Sequence, residues 1–175
     1  MTEGSKWYYD SPLGRMIMTG TGDALTGLWF EDGKAVSEIS GQKEEQQPVF
    51  EETGRWLDLY FTGRDPGFRP KLELSATPFR RAVWEILAGI PYGQTMTYGK
   101  ISEHLAHEKG MPSSAARAVG GAAGHNPVLL ILPCHRVVGA GGRLTGYAGG
   151  LWRKEALLKL EGIRVFQGFS ADQAD

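Results

Sequence analysis

The feature that most constrains the fold is a change in hydrophobic period near Thr77. Residues 6–30 contain short apolar runs separated by turns rich in Gly and Asp, a pattern that predicts antiparallel strands joined in a meander. From Pro78 to Gly162, apolar residues recur mainly at helical spacing. We therefore predict the α/β class, of the α+β kind: an N-terminal antiparallel sheet with a helix, followed by a mostly helical C-terminal domain.

The N-terminal domain is predicted to span residues 1–74. Residues 40–47 are polar and are expected to form a loop. From Pro48 the pattern has helical spacing, and Gly63 ends the helix. No acid pair, phosphate loop or other catalytic pattern occurs before residue 78, so we expect this domain to be structural.

The C-terminal domain is predicted to span residues 78–166, with a flexible tail over 167–175. Thr77 can cap a first helix that has Pro78 at its first position, and Thr97 can cap a second helix that runs from Tyr98 to about His107. A third helix is expected to follow the Gly/Pro turn at 110–112 and to run through Ala123. Two short helices across such a turn are typical of a helix-turn-helix.

Charge is distributed unevenly along the chain. Residues 1–77 carry 8 Lys and Arg against 13 Asp and Glu, whereas residues 78–166 carry 11 against 5. The second part is therefore net +6 and suited to a polyanion such as DNA. A solvated basic face is the alternative interpretation.

The third helix is unusual for a protein that reads a DNA sequence. Residues 115–123 are almost all Ala, Gly or Val, and their only long side chain is that of Arg117. Small residues allow a close backbone approach, which favours sequence-independent docking on phosphates; a tight Gly/Ala contact inside the protein is the alternative. The candidate DNA-contacting residues here are Ser113, Ser114, Ala116, Arg117 and Gly120.

Cys134 is the only cysteine in the 175 residues. A lone cysteine is usually a buried packing residue, but this one is followed by His135 and Arg136, which can stabilise a reactive thiolate. The apolar run 129–132 would fix the approach to the sulfur in the interior. We interpret Cys134 as a nucleophile. A single cysteine excludes an internal disulfide and a Cys-rich zinc site, and we predict no metal, no cofactor and no membrane span.

The segment after Cys134 predicts a ligand pocket and one more helix. Residues 139–150 are rich in glycine around Tyr147, so a flat ligand could approach the backbone. The last helix is expected to start near Gly150, to bury Trp152 and to end at Gly162. Glu161 lies in its final turn, where a carboxylate is unfavourable for the helix dipole, and this indicates another partner for Glu161.

These motifs resemble the O6-alkylguanine-DNA alkyltransferases, also called methylated-DNA–protein-cysteine methyltransferases. The resemblance rests on Pro133-Cys134-His135-Arg136-Val137, on Ala-Ala-Arg-Ala-Val-Gly at 115–120 and on Gly-Tyr-Ala-Gly-Gly at 146–150. It covers residues 78–162 continuously. The part before residue 75 is similar to the family's variable N-terminal domain only in length and pattern.

The resemblance implies a catalytic set. Cys134 would accept the alkyl group, and Glu161 would orient His135, which takes the thiol proton through a water. Tyr98 would donate to N3 of the departing guanine and crowd the phosphate of the rotated nucleotide. Some family members carry a zinc site in the N-terminal domain, but a chain whose only cysteine is the nucleophile cannot reproduce a version built on Cys.

The resemblance also implies how DNA and the base would be held. Arg117 would enter the base stack and fill the vacated space, with the helix-turn-helix in the minor groove. Asn126 would brace the turn between the DNA-binding helices and the active site. The carbonyls of Cys134 and Val137 would accept from the guanine amino group, and Tyr147 and the Ala148 backbone would face the base.

The expected activity is single-turnover repair of O6-alkylguanine in double-stranded DNA, by a monomer in the cytoplasm at the nucleoid, or in a nucleus. A non-catalytic DNA-binding or damage-flagging module is the alternative, and a Cys-His hydrolase is a third possibility. The presence of Cys134 favours chemistry, since the family's damage-flagging relatives lack the nucleophile. Alkyl-size preference, activity on O4-methylthymine and cooperativity on DNA are left open.

Overall fold

The computed structural model describes residues 4–33, 39, 41–110 and 116–164. The chain divides into two compact units, Met1–Ser75 with Pro127–Leu129, and Ala76–Asn126 with Leu130–Asp175. Residues 127–129 lie inside the predicted C-terminal domain but pack in the first unit. The predicted contacts of Ser113 and Ser114 and the predicted tail 167–175 fall outside the described residues.

The first unit contains the predicted antiparallel meander, so this part of the fold prediction is confirmed. Its second strand is buried at five successive residues, 16–20, which fits a strand that is covered on both faces. The turn into this strand needs Gly14, whose φ of 124° lies where a side chain is strained. The strands are β1 (Ser5–Ser11), β2 (Gly14–Thr21), β3 (Ala24–Phe30) and β4 (Lys43–Glu44), in the order β3-β2-β1-β4.

Helix α1 (Pro48–Tyr60) packs on this sheet through one apolar stripe. Gly20 of β2 lies directly below it, because a Cβ at that position would come within 3.2 Å of the Val49 and Phe50 side chains. Fully burying a side chain such as Phe50 contributes about 1.5–3 kcal/mol. The residues that α1 buries are Val49, Phe50, Thr53, Trp56, Leu57 and Tyr60.

The expectation of a plain loop over residues 40–47 is wrong at one point. Lys43 and Glu44 form β4, which pairs in parallel with Ser5 and Lys6 of β1. Both β4 residues are exposed and polar. A strand this short is held by backbone hydrogen bonds alone, so it leaves no apolar alternation in the sequence.

Two later segments cover the free edge of β3. The Leu25 N–H donates to Lys71 O (2.8 Å), and the Leu28 N–H donates to Pro127 O (2.8 Å). The Leu129 N–H donates back to Leu28 O at 2.9 Å. The chain is therefore held on a sheet edge five positions before Cys134, and the edge is protected from pairing with other chains.

The second unit is mostly helical, as predicted. The Thr77 hydroxyl accepts from the Arg80 N–H, and the Thr97 hydroxyl accepts from the Lys100 N–H, so both predicted caps are present. Gly110 ends the second of these helices with a left-handed φ of 66°. The helices are α2 (Pro78–Ala88), α3 (Tyr98–Lys109), α4 (Ala116–Gly124) and α5 (Leu151–Leu160).

Helix α4 packs closely against α2 and α3. Its Val119, Ala122 and Ala123 are buried, and the Trp84 indole N–H of α2 donates to Ala122 O at 3.0 Å. The small residues thus serve the internal helix contact that the sequence left as an alternative, while Arg117 and Ala118 are exposed.

The predicted buried face of α5 is wrong at Trp152. Its side chain is 57% exposed, whereas Arg153 and Lys154 are buried. The stripe that faces inward is Lys154, Leu157, Leu158 and Glu161, which follows i, i+3, i+4, i+7 spacing. None of the described helices is long and apolar enough to cross a membrane.

Candidate active site

Cys134 begins a short 3₁₀ turn, Cys134–Arg136, at the end of a buried apolar approach. Residues 129–132 are only 1–3% exposed, and the Cys134 N–H donates to Leu132 O at 2.8 Å. Leu130 has φ 71°, the only positive φ of a non-glycine residue in the described chain. Such a conformation costs about 1–3 kcal/mol and persists only where packing enforces it. The cysteine is therefore delivered by a rigid, strained segment.

A two-strand parallel ladder places Tyr98 beside this turn. Strand β5 (Met96–Thr97) pairs with β6 (Val137–Val138), in the register Met96 to Val137. Tyr98, the first residue of α3, follows β5 directly, and β6 follows the Cys134 turn directly. The ladder therefore brings the helix start and the nucleophile together.

Glu161 is the centre of a buried ionic network. Its Oε2 accepts from His135 Nε2 at 2.6 Å, and its Oε1 accepts from Arg136 Nε at 2.8 Å. Arg136 Nη2 adds a second bond to Oε2 at 3.2 Å, and the Gly93 N–H donates to Oε1 at 2.9 Å. The Arg136 guanidinium is itself anchored by Nη1, which donates to Ile90 O at 2.7 Å. A carboxylate at a helix C-terminus is unfavourable for the helix dipole, and these bonds are the compensating partners that the sequence analysis expected for Glu161.

The network fixes the protonation states of both acid and base. Burial alone would raise the pKa of Glu161, but the hydrogen bonds and charges of His135 and Arg136 outweigh it and lower that pKa to about 2. Burial lowers the pKa of His135, against the opposing effect of Glu161. His135 is therefore neutral at physiological pH. Because its Nε2–H donates to Glu161, Nδ1 is the ring nitrogen that can take a proton.

The environment of Cys134 favours the neutral thiol over the thiolate. Its side chain is almost fully buried, and this raises the thiol pKa to about 11. A hydrogen bond with Asn126 and the charge of Lys154 oppose the effect of burial. The Asn126 amide also donates to Leu132 O at 2.6 Å, which ties it to the approach segment. The resting residue is thus a thiol, and a thiolate must form with the help of a base.

Lys154 is a part of the site that the sequence analysis missed. It is 1% exposed, and its Nζ donates to Thr145 Oγ1 at 3.2 Å and to Gly146 O at 3.5 Å. The Thr145 hydroxyl also bonds to the Tyr98 hydroxyl at 2.8 Å. Burial lowers the pKa of Lys154 to about 8, and the charge of Cys134 opposes that shift. The signal was available, since Lys154 occupies the inward spacing of α5 with Leu157 and Leu158.

A cavity of about 410 Å³ opens on the sulfur. The Tyr147 hydroxyl is buried without a hydrogen-bond partner in the described part of the chain, and burial raises its pKa well above the usual value. Of the predicted base-pocket residues, Tyr147 and Ala148 line the cavity, while Val137 and Asn126 are buried outside its described lining. The described lining consists of Tyr98, Gly120, Ala123, Gly124, Cys134, Gly146, Tyr147 and Ala148.

The predicted DNA-contacting residues are only partly described. Arg117 is exposed on α4, and Ala116 is the first residue of that helix. Gly120 lies one turn further along and faces Tyr98, since a Cβ there would be 3.8 Å from the tyrosine ring. Among the described residues, no group of three or more His, Cys, Asp or Glu side chains could hold a metal ion.

Comparison with known proteins gives matches over nearly the whole chain. Residues 78–163 match the family described as 6-O-methylguanine DNA methyltransferase, DNA binding domain, and residues 6–74 match its ribonuclease-like domain. The methylated-DNA–protein-cysteine methyltransferase of Methanosarcina acetivorans is 44% identical over 154 residues, which cover 88% of this chain and 96% of that protein. The protein of the same name from Mycobacterium tuberculosis is 44% identical over 169 residues, covering 89% and 91%.

Solved structures agree with these sequence matches. The crystal structure of the M. tuberculosis O6-methylguanine methyltransferase superposes with a TM-score of 0.80 at 40% identity, over 98% of this chain and 99% of that one. The M. tuberculosis OGT in complex with DNA superposes with a TM-score of 0.79 at 42% identity, over 90% and 92%.

Proposed function

The chain belongs to the 6-O-methylguanine DNA methyltransferase family, and we propose that Cys134 is the residue that accepts the alkyl group. The protein is a DNA-repair methyltransferase, a methylated-DNA–protein-cysteine S-methyltransferase. The observation that carries the assignment is a thiol that lines a cavity and is followed at once by a neutral histidine fixed on a buried carboxylate. A thioether has no hydrolytic route back to the thiol, so each molecule acts once.

The chemistry follows from the protonation states. Neutral His135 takes the thiol proton on Nδ1, directly or through a water, and Glu161 stabilises the imidazolium that results. The sulfur then attacks the alkyl carbon: the S–C bond forms, the C–O6 bond breaks, and its electron pair goes to the purine. Tyr98, at the edge of the same cavity, donates towards N3 of the departing guanine. No cofactor is required for these steps.

The base must leave the duplex before it can reach a buried sulfur. Rotating a nucleotide out costs a few kcal/mol, and less for a damaged base that pairs poorly. We assign the docking on double-stranded DNA to the helix-turn-helix α3–α4 in the minor groove, without sequence preference, and the filling of the vacated stack to Arg117. The exposure of Arg117 and the net +6 charge of residues 78–166 support this assignment.

The remaining features of the proposal concern organisation. We assign DNA binding and alkyl transfer to residues 78–166 and a structural role to residues 1–74. The protein is proposed to act as a monomer wherever the cell keeps its DNA, at the nucleoid in the cytoplasm or in a nucleus. The division of the chain into two compact units supports this division of roles.

Intact-mass spectrometry tests the assignment of Cys134. After mixing with a duplex that contains O6-methylguanine, the wild type should gain one methyl group per molecule and then stop. Cys134→Ser should gain none and should still bind DNA, because a hydroxyl of nearly the same size is a far poorer nucleophile at neutral pH. Repeated turnovers, or methylation of the serine variant, would contradict the proposal. DNA binding by the wild type without any mass gain would indicate a damage-flagging module instead.

A further inference from the structure

The edge of the sheet in the first unit is open along part of β1. The Glu45 N–H donates to Lys6 O at 3.2 Å, so this carbonyl points outwards, away from β2. Main-chain groups of a strand point to alternate sides with a period of two residues, so the N–H and C=O groups of Tyr8 and Asp10 point outwards as well. Strand β4, however, pairs only with Ser5 and Lys6.

No segment of the described chain pairs with the main chain of Tyr8 or Asp10 on that outer side. Tyr8 is partly exposed and Asp10 is exposed, so solvent reaches this part of the edge. The opposite edge of the sheet differs, because residues 127–129 cover β3 there. Two N–H and two C=O groups are thus available on β1, and an open edge of this kind is a template for one more strand.

A groove of about 450 Å³ lies beside this open edge, between β1 and α1. The Tyr9 hydroxyl donates to Asp58 Oδ1 of α1 at 2.6 Å, which places the Tyr9 side chain on the α1 face of the sheet. Trp7 shares that face because strand side chains alternate, and both aromatic side chains are half-buried. The lining of this β1 groove includes Trp7, Tyr9, Glu51, Gly54, Arg55 and Asp58.

Gly54 keeps the β1 groove open. It lies in the middle of α1, where glycine destabilises a helix relative to alanine. Nothing lies within 4 Å of the position that its Cβ would occupy, so internal packing does not require a glycine there. The missing side chain instead leaves space on the side of α1 that borders the groove.

The charges around the β1 groove favour a basic occupant. Glu51 and Asp58 contribute two carboxylates to the lining, against the single guanidinium of Arg55. The tyrosine hydroxyl that bonds Asp58 is neutral, so it leaves the charge of that carboxylate in place. Residues 1–77 carry 8 Lys and Arg against 13 Asp and Glu, which makes this part of the chain net −5. A polyanion such as DNA is repelled by these charges, whereas a lysine or arginine side chain is attracted.

We propose that the β1 groove binds an extended, basic segment of a partner protein, which adds a strand to the open edge of β1. Main-chain hydrogen bonds hold such a segment, and the pockets for its alternate side chains select its sequence. Every second side chain enters the groove, where a lysine or arginine places its cation on the half-buried Trp7 indole and reaches Glu51 or Asp58. The segment recognised therefore has basic residues at alternate positions. This gives the first unit a binding role that does not depend on the alkyl transfer at Cys134.

A peptide of alternating threonine and lysine probes this site. The labelled peptide, blocked at both ends, is titrated with the full chain while its fluorescence anisotropy is measured. Its affinity should exceed that of the same peptide with glutamate in place of lysine by about tenfold or more. Equal affinities, or no binding of the lysine peptide at about 1 mM, would overturn the proposal.

Two N-methylated peptides test the addition of a strand. One carries methyl groups on its lysine amides, and the other carries the same number on its threonine amides. In an added strand only one of these two sets faces β1 and donates to it. One peptide should therefore bind about tenfold or more weakly, and the other should stay within about threefold of the unmethylated peptide. Loss of binding by both peptides, or by neither, would contradict strand addition.

Gly54→Leu and Gly54→Ala test the groove in the protein itself. Leucine fills the space beside α1, whereas alanine leaves most of it open. Both residues are better helix formers than glycine, so neither variant should unfold more easily than the wild type. Gly54→Leu should weaken binding of the lysine peptide about tenfold or more, and Gly54→Ala should stay within about threefold. Wild-type affinity in the leucine variant would rule out this site, and the methylated peptides decide the matter if that variant does not fold.

Activity and self-association are measured with the same variants. Transfer from a free O6-substituted guanine base to Cys134 should be unchanged in both, because Gly54 is not one of the catalytic residues. The peptide site and the proposed function can therefore fail separately. Self-association of the wild type that Gly54→Leu abolishes would mean that a second copy of the chain occupies the groove, and the basic partner would be abandoned.

Discussion

Two buried ionic groups flank Cys134, and they are built in opposite ways. On one side Glu161 accepts four hydrogen bonds, from His135, from Arg136 twice and from the Gly93 N–H, so its charge is fully compensated. On the other side the buried Lys154 bonds only to neutral oxygens. A compensated charge supports the fold, whereas an uncompensated one is kept at the expense of stability.

The pKa values give the sign of each contribution. The pKa of Glu161 is about 4.3 in the unfolded chain and about 2 in the folded one. Ionised Glu161 therefore adds stability that is complete above pH 4.3 and is lost as the pH falls towards 2. The pKa of Lys154 is about 10.4 in the unfolded chain and about 8 in the folded one, so the fold favours the neutral amine. The stability that this preference contributes is complete above pH 10.4 and is lost as the pH falls through 8. At neutral pH the first group stabilises and the second destabilises, each by about 3 kcal/mol.

Replacing Glu161 should have the largest combined effect on stability and activity, because it breaks the compensated network. Glu161→Gln leaves Arg136 buried without its counter-ion and removes the charge that stabilises protonated His135. We expect a loss of about 3 kcal/mol in the free energy of unfolding at pH 7 and a transfer rate roughly 100-fold lower, with DNA affinity preserved. Chemical denaturation and single-turnover kinetics measure the two effects.

The acid dependence of that loss is a second check on Glu161. The stability difference between wild type and Glu161→Gln should shrink as the pH falls from about 4.5 towards 2, because the wild-type carboxylate becomes protonated. A difference that is constant over this range would mean that the ionised form of Glu161 is not what stabilises the fold.

Arg117 lies outside both networks. Its replacement should therefore affect the rotation of the base and leave the chemistry at the sulfur unchanged. Arg117→Ala removes the contact that compensates for an empty stack, so repair of duplex O6-methylguanine should slow roughly 10- to 1000-fold. Transfer from a free O6-substituted guanine base should stay within a few-fold, and a single-stranded substrate should fall between the two. Arg55→Ala, an exposed arginine of the first unit, is the matched control. Equal losses on duplex and free base would show that Arg117 shapes the cavity rather than the rotated state.

Lys154→Met should make the protein more stable and less active. Methionine fills a similar volume without a buried charge, so the free energy of unfolding at pH 7 should rise by about 1–3 kcal/mol, and the gain should fade above pH 8 as the wild-type lysine deprotonates. Transfer should slow about tenfold or more, because the thiolate loses its neighbouring cation.

Lys159→Met, on the exposed face of the same helix, is the control for Lys154→Met and should change neither quantity by much, because a surface ion pair with Glu155 contributes little. A Lys154→Met variant that is less stable than wild type at pH 7 would contradict the uncompensated character of the lysine.

Sequence reasoning reached one of these networks and missed the other, for a physical reason. Glu161 was identified because a carboxylate at a helix C-terminus conflicts with the helix dipole, and such a conflict is visible in a sequence. Lys154 has the inward spacing of α5 with Leu157 and Leu158, but a lysine is almost never fully buried, so the sequence analysis did not place it inside. The meander, the capped helices and the class of fold follow from local periodicity and were predicted. The coverage of β3 by residues 127–129 depends on long-range backbone pairing, which leaves no local pattern.

Replacing Trp152 should have the smallest effect, and the replacement tests the orientation of α5. The sequence predicted it to be buried because tryptophan is large and apolar, but the inward spacing of α5 belongs to Lys154, Leu157 and Leu158, which leaves Trp152 57% exposed above the Arg153 guanidinium at 4.6 Å. Trp152→Gln should therefore change the free energy of unfolding by less than about 1 kcal/mol, the size of an exposed cation–π contact, and leave transfer from a free base unchanged. Chemical denaturation beside Leu157→Ala, a fully buried neighbour expected to lose about 2–5 kcal/mol, gives the contrast. A loss at Trp152 as large as that at Leu157 would mean that α5 is rotated, with the tryptophan inward and Lys154 exposed, and the difference between the two charged networks would then disappear.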